Sequence, residues 1–137
     1  MVSWTDSLLI GIPQLDDEHR KLLSSADRLL DACRQGKSKE DIAHILYFTV
    51  SYAKEHFRDE ENLQERYSYP GINAHKRNHA QFNMQTTALV KEYEITGPNV
   101  ALTEKLHKAL VDWLINHIST EDKKLGEYLN KNKTVGG

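Results

Sequence analysis

Apolar residues recur along this chain at alternating spacings of three and four, which is the pattern of amphipathic helices. Four segments show this pattern, over residues 15–33, 38–67, 73–93 and 100–117. Turn-forming residues separate them: Gly36, Tyr69-Pro70-Gly71 and Thr96-Gly97-Pro98. Consecutive amphipathic helices with short connections pack antiparallel to one another. The pattern therefore predicts an all-α, up-down-up-down four-helix bundle.

The first helix is expected to begin near Asp16 or Asp17, either of which can cap it. Before it, residues 1–14 contain apolar side chains, but Gly11 and Pro13 interrupt any helix there. We therefore expect an N-terminal arm that lies across the bundle and covers part of its core.

The remaining boundaries follow from similar signals. Ser38 is placed to cap the second helix, and Pro98 lies near the first position of the fourth. The inward positions of the fourth helix are Val100, Leu106, Leu110, Trp113, Leu114 and His117. A further apolar segment follows, and residues 130–137 are polar and predict a flexible tail. Since no repeat or linker interrupts the chain, residues 1–137 are expected to form a single domain.

Composition narrows the functional classes. The formal net charge of −2 argues against nucleic acid or an anionic membrane as partner. Cys33 is the single cysteine, which excludes an internal disulfide and an iron–sulfur cluster. The N-terminus lacks a basic segment followed by an apolar run, and no apolar stretch approaches the roughly 18 residues of a membrane span. A soluble, cytoplasmic protein is expected.

Histidines supply the candidate chemistry, with 7 in 137 residues. Residues four apart on a helix differ by only about 40° around its axis, so both members of such a pair face the same way. The predicted inward faces thereby collect polar residues at one end of the bundle: His19, His56, Glu60, His75, His79 and His117. So many buried imidazoles would lack hydrogen-bonding partners unless they held a metal. Asp59 and Glu61 fall to the sides of the second helix and are predicted to be solvated charges.

Asp122 is ambiguous on spacing alone. It follows His117 by five residues, which places it about 140° away on a regular helix. Either Asp122 is an ordinary surface charge, or the helix is irregular between Ile118 and Glu121. Ser119 and Thr120 are poor helix formers, so an irregularity there is compatible with the sequence.

Together these residues follow the pattern of a known family. A histidine near the start of the first helix, followed by H-x-x-x-E, H-x-x-x-H and H-x-x-x-x-D, resembles hemerythrin, and in particular the bacterial single-domain hemerythrins. The likeness runs from Trp4 to about Tyr128 and includes these flanking residues: Gly11-Ile12, Leu15-Asp16, Tyr69-Pro70 and Trp113-Leu114.

The resemblance implies two non-haem iron ions with seven protein ligands: His19, His56, Glu60, His75, His79, His117 and Asp122. It assigns three histidines, from the third and fourth helices, to one iron and two, from the first and second, to the other. Glu60 and Asp122 bridge both irons, together with an oxo or hydroxo group. The two-histidine iron then keeps one open position, where O2 is the expected ligand. The family's O2 pocket is matched by four apolar residues: Phe57, Trp113, Leu114 and Ile118.

The implied function is reversible O2 binding by a monomer that carries, stores or delivers O2, with an O2-consuming enzyme as recipient. Imidazole-rich ligation favours release of O2 over cleavage of its O–O bond. The ligands alone do not exclude manganese, zinc or cobalt. Three alternatives remain open at this stage. They are a di-iron oxidase, peroxidase or nitric-oxide-handling enzyme, a sensor of O2 or redox state that acts through a separate partner, and a metal-free structural bundle.

Overall fold

The computed structural model describes the backbone of residues 4–136 and the side chains of residues 4–131. Its elements are a 3-10 turn (Asp6–Leu8), α1 (Pro13–Arg34), α2 (Lys39–Arg66), α3 (Ile72–Thr96), α4 (Val100–His117), a π-helical turn (Ile118–Asp122) and α5 (Lys123–Gly136). The last three run on without a break as one long helix. Between residues 4 and 136 the chain forms no strand. The predicted four-helix bundle is confirmed.

The helices surround a single apolar core. α1 packs against α2 and α4, and α3 packs against the same two helices from the opposite side. The helices turn apolar side chains toward this interior, and the largest of those buried completely are Leu15, Leu22, Leu29, Leu46, Leu106, Leu114, Ile118 and Leu125. No helix within residues 4–136 is both long and apolar enough to cross a membrane.

The start of α1 differs from the prediction. The helix begins at Pro13, not at Asp16 or Asp17. Proline is well accommodated at the first position of a helix, because the N–H that it lacks would have no partner within the helix. Asp16 is buried and accepts a hydrogen bond from the backbone N–H of Ile10 at 2.8 Å. Its role is therefore to tie the N-terminal arm to α1.

The caps of α2 and α4 are formed by polar side chains. Ser38 Oγ accepts from the N–H of Asp41 at 3.1 Å, which confirms Ser38 as the cap of α2. In α4 the cap is Asn99, whose side chain accepts from the N–H of Leu102 at 2.7 Å. Val100 is 43% exposed, so the predicted inward position of this first residue of α4 is wrong. The inward stripe of α4 begins at Leu102 instead.

The arm packs directly on α5. A Cβ atom at Gly126 would collide with the carbonyl oxygen of Ile10, so only glycine allows this close approach. The backbone of α5 is helical as far as Gly136, through most of the stretch for which the sequence predicts a tail. Gly137 lies outside the described residues, as do the side chains after Lys131.

Replacing Gly126 with alanine is expected to lower the free energy of unfolding by about 2 kcal/mol, because the added methyl group must push the arm off α5. Urea unfolding of the two proteins measures this difference. Glu127→Ala, at the exposed neighbouring position, should change the free energy of unfolding by less than about 0.5 kcal/mol. A loss at Gly126 no larger than the loss at Glu127 would contradict a stabilising contact between the arm and α5 at this position.

Candidate metal centre

All seven predicted ligand residues meet inside one end of the bundle. None of them is more than 2% exposed: His19, His56, Glu60, His75, His79, His117 and Asp122. Their ligand atoms fall into two groups, within each of which all atoms lie within 4.8 Å of one another. His75, His79 and His117 form one group and His19 and His56 the other, while Glu60 and Asp122 belong to both.

The π-helical turn brings Asp122 into the site. A π turn closes i→i+5 hydrogen bonds, so residues five apart come to lie on the same face. His117 and Asp122 are five apart, and His117 Nε2 lies 3.1 Å from Asp122 Oδ1. The Thr120 hydroxyl donates to the carbonyl oxygen of Asn116 at 2.8 Å, a contact that favours local distortion of a helix. Of the two alternatives for Asp122, the irregular helix is therefore the right one.

Glu60 turns one carboxylate oxygen toward each group. Its Oε1 lies 3.2 Å from His19 Nε2 and 2.6 Å from His56 Nε2. Its Oε2 lies 3.2 Å from His75 Nε2 and 3.0 Å from His79 Nε2. A carboxylate that divides its oxygens in this way is placed to bridge two cations.

Asp122 repeats this division from the opposite side of the site. Its Oδ2 lies 3.1 Å from His19 Nε2. Its Oδ1 lies 2.9 Å from His75 Nε2 and 3.1 Å from His117 Nε2. The two carboxylates thus separate a group of three imidazoles from a group of two. This arrangement follows the assignment that the resemblance implies.

The hydrogen bonding inside the cluster is incomplete, as expected of side chains that bind a metal and not of side chains that only bind one another. Both oxygens of Asp122 are buried and, within the described part of the chain, neither has a partner with hydrogen-bond geometry. The Nε2 atoms of His75 and His117 approach each other to 3.0 Å, so at most one of them can donate. Converging lone pairs of this kind are satisfied by a cation. Nitrogen and oxygen donors without thiolate suit iron and several other first-row metals.

The electrostatics point the same way. Burial alone lowers the pKa of His56, but the charge of Glu60 and hydrogen bonds to Glu18 and Glu60 outweigh it and raise the pKa to about 10. Burial likewise opposes the contacts with Asp122 and Glu60 that raise the pKa of His75 to about 9. Burial would raise the pKa of Glu60, yet the surrounding imidazoles hold it well below its ordinary value. The site therefore attracts positive charge strongly, and metal ions compete with protons for it.

Two further carboxylates hold the outer nitrogens of the histidines. Glu18 lies 2.6 Å from His56 Nδ1, and Glu61 lies 2.8 Å from His79 Nδ1. Such a contact fixes the tautomer, so that Nε2 presents a lone pair to a metal, and it makes the ring a stronger donor. The prediction that Glu61 is merely a solvated charge is wrong. One histidine in each group is held in this way.

Replacing Glu18 or Glu61 with glutamine is expected to weaken metal binding by about 10- to 100-fold while leaving the maximum metal content unchanged. The amide keeps the shape of the side chain but loses the charge that strengthens the imidazole. Competition with a chelator of known affinity measures the difference. Glu55→Gln, on the exposed face of α2, is the control and should bind metal like the unmodified chain. Equal losses in all three variants would contradict the outer-carboxylate role.

Aromatic rings cover one side of the histidines. Phe57 stacks on His79 with ring centroids 4.0 Å apart, and Trp113 stacks on His117 at 4.3 Å. Phe57 also lies 5.7 Å from His56, so it borders both groups. The two other residues of the predicted O2 pocket are buried in the same core: Leu114 and Ile118. Their role toward O2 stays a prediction.

The two remaining histidines lie outside the cluster. His44 is exposed on α2. His107 Nε2 pairs with Asp27 at 2.8 Å, and this contact joins α4 to α1. Neither residue belongs to the two groups of ligand atoms.

Fold and site together define a class of protein: a helical bundle whose interior gathers two groups of imidazoles that share two carboxylates, an arrangement suited to binding metal ions. The sequence model of the hemerythrin HHE cation-binding domain matches residues 10–129. The chain belongs to the hemerythrin family.

Two bacteriohemerythrins and a myohemerythrin are similar to this chain. The chain is 34% identical over 122 residues to the bacteriohemerythrin of Pseudomonas aeruginosa (strain LESB58), a match that covers 87% of this chain and 75% of that protein. It is 30% identical over 126 residues to the bacteriohemerythrin of Stenotrophomonas maltophilia (strain R551-3), covering 90% and 78%. Its identity to the myohemerythrin of Theromyzon tessulatum is 26% over 121 residues, covering 88% of each chain.

Proposed function

We propose that this protein binds O2 reversibly at a non-haem di-iron centre and serves as an oxygen carrier or store. The observation that carries the proposal is the unequal division of the cluster, in which two carboxylates are shared between three imidazoles and two imidazoles. A metal site that binds an external ligand keeps a coordination position free of protein groups. The group of His19 and His56 has one imidazole fewer and is the half suited to such a ligand.

The role of the chain is to hold the ions, orient them and keep water away. When bound, the iron pair supplies the electrons that reversible O2 binding requires. Glu60 and Asp122 keep the two halves together, and Glu18 and Glu61 orient the imidazoles that they contact. Phe57 and Trp113 lie against the histidines and exclude water, which slows the escape of reduced oxygen species and hence irreversible oxidation.

Imidazole-rich ligation favours this function over enzymatic O2 activation. Di-iron carboxylate enzymes of the helical-bundle type place more glutamates around the metals, with Glu-x-x-His pairs on two helices. In this chain the ligand pairs His56–Glu60 and His75–His79 are spaced by four, and among the described residues only Glu60 and Asp122 offer oxygen atoms to the two groups. Neutral donors stabilise the reduced ions, so we propose a protein that releases O2 unchanged and is not an enzyme.

The test is spectroscopic. Protein reconstituted anaerobically with Fe(II) should bind two ions per chain and, on admission of air, develop a charge-transfer band that disappears under vacuum over several cycles. Zinc-loaded protein is the control and should develop no band. Bleaching that evacuation cannot reverse would contradict reversible binding, and sustained O2 consumption with an electron donor would indicate an enzyme.

The biological setting is part of the proposal. We infer a cytoplasmic monomer that supplies O2 to an O2-consuming enzyme. Size-exclusion chromatography with light scattering tests the oligomeric state. Transfer of O2 from the loaded protein to an oxidase, faster than dilution alone would supply it, tests the role in delivery.

A further inference from the structure

A small cavity opens between α3 and α4, away from the metal ligands. Its volume is about 10 Å³, close to the smallest space that holds one water molecule. Three residues line its outer part and are at least partly exposed: Gln85, Leu89 and Ala109. Four others form its inner part and are buried: Phe82, Thr86, Leu106 and Leu110. The cavity thus runs from the surface to a largely apolar inner wall.

A continuous layer of aromatic rings joins this inner wall to the metal site. Phe82 lies 4.5 Å from Trp113 and 5.3 Å from Phe57, measured between ring centroids. Trp113 in turn stacks on His117, and Phe57 stacks on His79. The seam between α3 and α4 therefore leads inward from the cavity, past one pair of rings, to the histidines.

The helical register explains why the path is straight. Ala109, Trp113 and His117 are spaced by four on α4, so they lie one above another on the same face. On α3, Phe82 follows His79 by three and faces the same seam. Ala109 carries the smallest side chain of this α4 stripe, and the cavity is found beside it.

Two other sides of the metal site are covered by charged side chains. Glu18 covers the outer side of His56, and Glu61 covers the outer side of His79. The end of the bundle is closed by the Tyr128 hydroxyl, which donates to the carbonyl oxygen of Tyr67 at 2.8 Å. An apolar gas partitions away from such hydrated groups and into apolar surroundings. The α3–α4 seam is the apolar alternative.

We propose that O2 enters through the cavity between α3 and α4 and that the contact of Phe82 with Trp113 is the gate to the metal site. This inference rests on the proposed function. A gate of this kind sets the rates at which O2 arrives and leaves. It leaves the equilibrium affinity unchanged, because association and release of O2 cross the same barrier and are slowed equally.

Filling the cavity tests the route. Ala109→Leu is expected to slow both association and release of O2 about tenfold in the iron-loaded protein, with equal affinity and equal iron content. Stopped-flow absorbance measures both rates. Ala101→Leu makes the same change at an exposed position of α4 and should leave them unaltered. Association at the unmodified rate in the Ala109 variant would overturn the proposal.

Widening the gate gives the opposite prediction. Phe82→Leu removes the ring that contacts both Trp113 and Phe57, and it should speed association several-fold, by roughly threefold to tenfold. Circular dichroism and metal content establish that each variant is folded. Slower association in this variant would contradict the gate.

A second readout avoids iron altogether. In zinc-loaded protein, dissolved O2 should enhance the nuclear relaxation of the methyl groups of Leu106 and Leu110 more than that of Leu29, which is equally buried but does not line the cavity. Ala109→Leu should remove this difference. Equal enhancement at all three leucines in the unmodified protein would overturn the proposal.

The two readouts separate failure of the route from failure of the function. If iron-loaded protein forms no oxygenated species, the proposed function is wrong, and the relaxation measurement alone decides whether O2 enters the cavity. If oxygenation is reversible but Ala109→Leu changes neither rate, O2 reaches the site by another way.

Discussion

Replacing Glu60 with alanine is expected to abolish the binding of both metal ions. Glu60 offers one oxygen to His19 and His56 and the other to His75 and His79, so its loss removes a ligand from each half of the site. It also removes half of the negative charge that the two shared carboxylates supply. No other side chain in the described part of the chain belongs to both groups except Asp122.

The same substitution should destabilise the metal-free protein. Glu60 is completely buried, and it balances imidazoles that have no access to water. Removing one partner of a buried charged contact while leaving the other costs about 3–5 kcal/mol. Metal analysis after anaerobic reconstitution and urea unfolding of the metal-free chain measure the two effects separately.

Two variants make the Glu60 experiment specific. Glu60→Gln keeps the volume of the side chain and one acceptor oxygen, so it should fold better than the alanine variant and still fail to hold both ions. Glu55→Ala, at an exposed position of the same helix, should behave like the unmodified protein. If Glu60→Ala retains two ions per chain, the shared-carboxylate arrangement is wrong.

Helical periodicity explains how much of this architecture the sequence predicts. Residues with a spacing of three or four face one side of any regular helix, so a polar residue within an apolar stripe must point into the core. This reasoning places His19, Glu60 and His117 inside without knowledge of the neighbouring helices. Short connections then determine that consecutive helices run antiparallel, which brings these residues to the same end.

Residue spacing does not predict the direction of a side chain where the helix is irregular. A regular helix leaves Asp122 on the wrong face, and spacing alone could not decide between a surface charge and a π turn. The energy of one widened turn is recovered through contacts with His117 at the start of the turn and with His19 and His75, which come from other helices. Only the resemblance to a family favoured a ligand at this position.

Side-chain reach is a second limit. Periodicity gives the direction of Cβ from the helix axis, and for Glu61 that direction is toward the side of α2. Its long side chain nevertheless extends across to His79 on α3. A signal for such residues does exist, because a histidine ligand requires a partner at its outer nitrogen. Carboxylates adjacent in sequence to other ligands, such as Glu18 beside His19, are the natural candidates.

The N-terminus shows a third limit, because proline can begin a helix as well as interrupt one. The sequence predicts that Pro13 interrupts any helix, yet Pro13 occupies the first position of α1, where its fixed backbone angle favours the helix. This early start leaves Asp16 free to bind the arm through Ile10. The arm then lies against α5 at Gly126, close behind the π turn that positions Asp122.

His117→Ala is expected to lose the three-histidine metal, whereas His107→Ala keeps both. The two histidines make a matched pair, since both lie on α4 and each approaches an aspartate, Asp122 at 3.1 Å and Asp27 at 2.8 Å. They differ in what surrounds them. His117 lies among other imidazoles and under the ring of Trp113, while His107 makes a separate hydrogen-bonding contact with Asp27 between α4 and α1.

The measured quantities are the metal content and the free energy of unfolding. His117→Ala should bind fewer than two ions per chain at saturating iron. His107→Ala should bind two, and its only cost should be the loss of a partly buried pair, about 1 kcal/mol. Loss of metal in both variants would show that the wrong face of α4 has been assigned to the metal site. Retention of two ions by His117→Ala would remove this histidine from the ligand set and with it the unequal division on which the O2-binding proposal rests.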